Sequence, residues 1–197
     1  MTDKSVSPDN LLQQIGKQRG PAPVHDWDPP YCGEMDMRIA ADGRWYHEGS
    51  PIGRIAMVRL FSSILRLDDD GHHYLVTPVE KVRIKVDDCP FVAQLLDVSG
   101  EGAQQRLSFT LNTGETVTAN ADHPIEVTTD KAGQPHPVIE VRHGLKALIS
   151  RSVFYQMVAL ADTATELSGE DKVLKNNNSP DEIGVASDGV FFVLGAR

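Results

Sequence analysis

Arg54, Arg59, Lys81 and Arg83 are the side chains in this sequence best suited to holding a ligand, and what they suit is an anion. Arginine offers a planar fork of donors that matches phosphate or carboxylate, and lysine adds a compact positive charge. Arg54 stands near an expected helix start, where free N–H groups favour negative charge and a cation needs an acidic partner or a ligand. Asp36 and Arg38 lie two apart on one strand face and could take a ligand's hydroxyl and anionic groups together. Trp45 and Tyr46 point to opposite faces of their strand, one toward a core and the other free to stack on a planar ring; Trp45 joins the candidate set on that ground. Glu80, beside Lys81, completes it. The competing reading is a set of surface ion pairs with Asp36, Glu48 and Glu80, which contribute little.

Charge narrows the partners. The chain carries a formal −9, which argues against a general nucleic-acid binder, since phosphate affinity needs a basic face. Cys32 to Lys85 holds eight basic and eight acidic residues, so this neutral window gives a small anion its best local field. Two cysteines are too few for a disulfide framework, and no CxxC or HExxH spacing marks a metal site. His72 and His73 are adjacent and face opposite sides of a strand, so they cannot chelate together. GxGxxG, GxxxxGK[ST] and GxSxG are all missing. No catalytic residue, metal or cofactor is expected. Nothing resembles a signal peptide or a membrane span, and a cytoplasmic location is the default expectation.

The elements that must hold these residues follow from periodicity. Asp9 or Asn10 should cap a short helix carrying Leu11, Leu12 and Ile15, ended by Gly20 and Pro21. Pro-rich PAPVHDWDPPYCG then runs extended, fastened by Trp27 and Tyr31. Met35, Met37 and Ile39 alternate with polar residues, and Asp42-Gly43 turns the chain into Trp45–Glu48. With Ser50 available as a cap, a helix is expected from about Ile52 to Leu67, and the Asp68–Gly71 turn ends it. Strands are expected near 74–76, 81–86, 91–98, 106–111, 115–119, 125–129 and 138–142. A second helix should open at His143-Gly144 and run through Leu160. Lys175 to Pro180 is expected as a solvated loop, and Ile183 to Leu194 as a terminal hairpin. Two echoes suggest duplication: IAADGRWY (39–46) against VASDGVFF (185–192), and Leu60-Phe61 against Val153-Phe154 under a shift of 93.

The segments MDMRIAADGRWYHEGSPIGR, VRLFSSIL, YLVTPVEKVRIKVDDCPFVA, DHPIEV and VRHGLKALISRSVFYQMVALA resemble an uncharacterised proteobacterial family, domain of unknown function 1285. The likeness covers the chain from about Pro23. It implies a two-part α+β protein with internal duplication, whose C-terminal part is a bent antiparallel sheet or barrel with a capping helix, loosely pleckstrin-homology-like. It also implies a pocket between domains for a nucleotide-like ligand, and a signalling role. It brings no catalytic residue with it. The expected division is an N-terminal lead at 1–22, an α+β domain at 23–80 and a barrel-like domain at 81–197.

The leading expectation is therefore a ligand-binding module that holds an anionic, nucleotide-like small molecule between its two domains. The alternative is a protein-interaction adaptor whose barrel-like half offers a strand edge or groove to a protein partner. An acid–base enzyme using Asp36, Glu48 or Glu80 ranks third.

Overall fold

A computed structural model describes residues 8, 11, 21–130, 132–167 and 182–196 of the chain, which divides into two compact units between Pro90 and Phe91. The N-terminal unit contains β1 (Tyr31–Ile39), β2 (Trp45–His47), β3 (Ser50–Pro51), α1 (Ile55–Ser63), β4 (Leu65–Leu67), β5 (His73–Val76) and β6 (Lys81–Val86). Its six strands form one sheet in the order β3-β2-β1-β6-β5-β4, antiparallel throughout except for the central β1/β6 pair. The C-terminal unit contains β7 (Phe91–Ser99), β8 (Arg106–Leu111), β9 (Thr116–Thr118), β10 (Ile125–Thr129), β11 (Pro135–Arg142), β12 (Leu145–Ile149), α2 (Arg151–Leu167), β13 (Glu182–Ser187) and β14 (Val190–Ala196). Its sheet runs β10-β11-β12-β7-β8-β9, with the central β7/β12 pair parallel, and β13 and β14 form a separate hairpin.

The two sheets have the same topology. With the strands of each unit counted from its first, both orders are 3-2-1-6-5-4 or its equivalent read from the other edge: two three-stranded meanders joined by a central parallel pair. The duplication lies in this pairing scheme and not in the residue echoes. IAADGRWY spans a sheet hairpin, whereas VASDGVFF belongs to β13–β14, outside its unit's six-stranded sheet. The shift of 93 superposes α1 on α2, yet α1 links the two meanders of its unit while α2 follows the second meander. Asp-Gly hairpins are common enough to recur without homology.

One turn recurs four times. At 40–44, 68–72, 111–115 and 130–134 the first residue's N–H donates to the fifth residue's carbonyl, and the fourth residue's N–H to the first residue's carbonyl, at 2.8 to 3.1 Å. The fourth residue is always a glycine at φ 76° to 83°. This is the type I turn closed by a left-handed glycine, and a Cβ is disfavoured at that φ.

Several expectations need correction. β6 belongs to the first unit and not to the second, because its ladders run to β1 and β5, so the boundary falls after Pro90 and not after Glu80. The first helix is shorter than 52–67: Ser50 and Pro51 are strand, Arg54 is the N-cap, and Leu65–Leu67 pairs with β5 as β4. Asp68–Gly71 is consequently a hairpin turn and not a helix end. Leu145–Ile149 is strand in place of the expected helix start, because Leu145, Ala147 and Ile149 are buried at period two. The C-terminal sheet is antiparallel except for its central pair. The lead helix and the loop at Lys175–Pro180 lie outside the described residues, apart from Pro8 and the fully buried Leu11.

Met37, Ile39, Trp45, Phe61, Ile64 and Leu75 fill the N-terminal core; Phe91, Leu107, Phe109, Ile139, Ala147 and Met157 belong to the C-terminal one. Both tryptophans, Trp27 and Trp45, belong to the N-terminal unit, so intrinsic tryptophan fluorescence reports that unit alone. Gly71 has φ 76°, and a Cβ at that position would meet nothing within 4 Å, so a substitution there tests backbone strain without steric clash. Gly71→Ala should cost about 1–2 kcal/mol in urea unfolding followed by fluorescence, and Gly71→Asn distinctly less.

Candidate functional site

The expected site residues separate into three places. Asp36, Arg38, Lys81 and Arg83 are on the neighbouring strands β1 and β6, which pair Glu34 with Arg83 and Arg38 with Lys85. Period-two alternation puts Met35, Met37, Val82 and Ile84 in the core and these polar residues on the opposite face. Arg54 and Arg59 are exposed on α1, five residues apart and so on different sides of the helix. Glu80 belongs to the Thr77–Glu80 turn, where its N–H donates to Thr77 Oγ1 at 3.2 Å and its carbonyl accepts from the Thr77 N–H at 2.9 Å.

Trp45 is the residue whose assigned role changes. It is 2% exposed and stacks on Phe61 with ring centroids 6.1 Å apart, so it packs the core and cannot receive a ligand ring. Its indole N–H has no partner among the described residues. Tyr46 takes the outward position, with the Arg38 guanidinium 5.9 Å from its ring centroid.

Much of the positive charge on the sheet is already matched. Arg38 Nε donates to both Asp87 carboxylate oxygens at 3.0 and 2.9 Å, and its terminal nitrogen contacts the same group. That hydrogen bond raises the Arg38 pKa and lowers that of Asp87. Arg83 pairs with Glu34 across the ladder. Lys81 donates to Asp68 Oδ2 at 2.9 Å and lies 4.7 Å from the Tyr74 ring centroid. The carboxylates that pair with Arg38, Arg83 and Lys81 are Asp87, Glu34 and Asp68.

Asp68 belongs to a cluster that the sequence pattern does not reveal. Arg66 Nε and a terminal nitrogen donate to its two oxygens at 2.5 and 3.2 Å, while the other terminal nitrogen donates to the carbonyls of Val24 and Trp27 at 2.8 and 2.9 Å. Arg66, only 11% exposed at its side chain, therefore ties the proline-rich arm to the sheet. Ala22 N–H to Ser63 and Lys81 N–H to Pro30 complete the attachment. Tyr31 packs edge-on against Tyr74 at 6.1 Å. Burial works to raise the Asp68 pKa, but hydrogen bonds from Arg66 and Lys81 prevail and hold it below the usual carboxylate range. Tyr74 donates to Asp70 Oδ2 at 2.7 Å, and that bond, with burial, pushes its phenol up to about 12. The Asp-rich turn is visible in the sequence, but the partners of Asp68 are not.

Arg54 differs from the strand cations. It is exposed at the N-cap of α1, has no ion pair among the described residues, and the first helical turn contains no acidic residue. It borders a concavity of about 400 Å³ together with His47, Pro51, Ile52, Met57 and Pro8.

Fold and site together define a two-unit α+β protein built on a duplicated six-stranded sheet, with a charged, ion-paired face on the first unit. Residues 22–89 match the N-terminal domain, and residues 90–194 the C-terminal domain, of the protein family of unknown function DUF1285. The chain belongs to that family. It is 45% identical to a crystallised DUF1285 family protein from Silicibacter pomeroyi DSS-3, with 94% of each chain covered and a TM-score of 0.80. A DUF1285 family protein from Shewanella baltica OS155 is 24% identical, over 64% of this chain and 91% of that one, with a TM-score of 0.49. No curated protein matches. No helix among the described residues is long and apolar enough to cross a membrane.

Two measurements check the cluster. Arg66→Ala should destabilise the N-terminal unit by about 2–3 kcal/mol, since it removes charged hydrogen bonds and leaves Asp68 less fully paired. Because the folded Asp68 pKa is depressed, its contribution is present above the unfolded value near 3.8 and is lost as pH falls through the folded one. Wild type should therefore lose more stability than Asp68→Asn in acid titration below about pH 4. Ultraviolet titration of the folded protein should show one tyrosine near 12, and Asp70→Asn should bring it back toward the ordinary value.

Proposed function

We propose that the chain is a ligand-binding module, and that the concavity at the start of α1 takes an anionic, nucleotide-like small molecule. Arg54 carries this reading: it is an exposed guanidinium with no ion pair among the described residues, on the rim of a concavity of about 400 Å³. That volume lies within the range of small-molecule sites. The guanidinium would meet a phosphate group, with the helix's first N–H groups adding partial positive charge behind it. Ile52, Met57 and Pro51 supply an apolar wall for a ring, and His47 a further polar contact. Arg38, Lys81 and Arg83 serve as structural ion pairs in this reading, because a ligand would have to displace Asp87, Asp68 or Glu34 to reach them. A signalling role, which the family resemblance implies, would be exercised through occupancy of this site.

Isothermal titration with adenosine monophosphate checks it. Wild type should bind, Arg54→Ala should bind at least about tenfold more weakly, and Lys85→Ala, on the paired face, should match wild type. Equal affinity of wild type and Arg54→Ala, or no binding to either, overturns the reading.

A further inference from the structure

β5 begins with His73, which the register sets between Leu67 of β4 and Ile84 of β6. Side chains alternate along β5, so His73 shares a face with Leu75, which is fully buried between Leu65 and Val82. Tyr74, paired with Arg66 and Arg83, points the other way, toward Lys81 and the charged face. A half-buried imidazole therefore lies on the apolar side of the sheet. Its ring has no hydrogen bond or ion pair among the described residues.

The charged groups around His73 offer it no acceptor. Arg66 of β4 and Lys81 of β6 both hold Asp68, and Arg83 holds Glu34, all directed to the opposite face. Lys85 is exposed on that face near Asp87. Asp70 accepts from the His72 N–H at 2.9 Å and the Tyr74 hydroxyl at 2.7 Å. Asp69 and His72 are exposed in the turn, and α1 contributes only the exposed Arg59. A neutral imidazole suits this setting. An imidazolium brings a full charge and two donors without an acceptor, so it must leave the apolar face for water. That movement withdraws the first residue of β5 from both of its ladders. β4 follows, because among the described residues it is an edge strand held by β5 alone.

We propose that His73 is an acid-sensitive latch: protonating its imidazole opens the β4–β5 hairpin and loosens the proline-rich arm. Hairpin and arm are joined by Arg66, whose guanidinium bonds the Val24 and Trp27 carbonyls from β4. Burial, with a smaller contribution from His72, lowers the His73 pKa below 6.5. The opened hairpin therefore takes up the proton first. Protection is full above about 6.5 and is lost as pH falls through the folded value. Asp68 stays ionised over this range, since its pKa is held below 3.8, so the opening does not begin in the Arg66 cluster.

Hydrogen exchange of the full chain, read by mass spectrometry and corrected for the intrinsic pH dependence of exchange, is the test. Between about pH 7.5 and about pH 5.5, residues 64–76 and 22–28 should both lose protection at least about threefold. His73→Leu should remove that loss from both segments, and His72→Gln should keep it. Should His73→Leu not fold, proton titration of the wild type carries the test: one imidazole should titrate below 6.5, and the Leu67 and Ile84 amides should shift with the same midpoint. Equal loss in wild type and His73→Leu, no loss in wild type, or amides that ignore that midpoint overturns the proposal. So does an opened hairpin beside an arm whose protection is unchanged.

Discussion

Within each unit, two antiparallel meanders become one sheet through a single ladder in which the strands run parallel, β1 with β6 and β7 with β12. A parallel pair cannot be closed by a tight turn, so the chain between its members must leave and return. In the N-terminal unit the detour runs through β2, β3, α1, β4 and β5; in the C-terminal unit four strands make it without an α-helix. This constraint accounts for the four tight glycine turns, because each meander must reverse within a few residues for the outer strands to stay in register. It also explains why the domain boundary lies after β6: cutting before Lys81 would remove the strand on which both meanders of the first unit meet.

The same ladder organises the electrostatics. Side-by-side β1 and β6 bring Glu34 to Arg83, and the chain leaving β6 brings Asp87 to Arg38. A segment that looks like a store of positive charge thus becomes a face of matched pairs. Exposed pairs of this kind add little stability, but they remove the free field an incoming anion would need. The Arg66 cluster differs in being partly buried and in satisfying main-chain carbonyls as well as a carboxylate. Its work is to hold the arm that enters β1, which makes it a structural device.

The hairpin turn at Gly43 and the alternating strands 35–39 and 81–86 are legible in the sequence because each depends on neighbours within a few residues, whereas the turn at Gly71 reads as a helix end. The expected first helix overruns because Ile64 and Leu65 continue a helical apolar spacing, while the ladder from Leu65 to Leu75 claims Leu65 for β4. Leu145–Ile149 misleads for the related reason that a five-residue apolar run suits either element until a neighbouring strand is present. Trp45 cannot be separated from Tyr46 without knowing which side Phe61 occupies.

By itself, the sequence determined the α+β class, the hairpins at Asp42-Gly43 and from Ile183 to Leu194, the polar and apolar faces of the strands, and membership of a family resembled along most of the chain. These follow from local φ preferences and short periodicities. The tertiary structure decided the pairings across long separations: β6 with β1, Arg38 with Asp87 across 49 residues, and Arg66 with the arm across about 40. Such contacts depend on which strands lie side by side, and one residue's chemistry does not specify its distant partner. That is why Arg38, Lys81 and Arg83 proved ion-paired, while Arg54, already singled out by its place near a helix start, has no ion pair among the described residues.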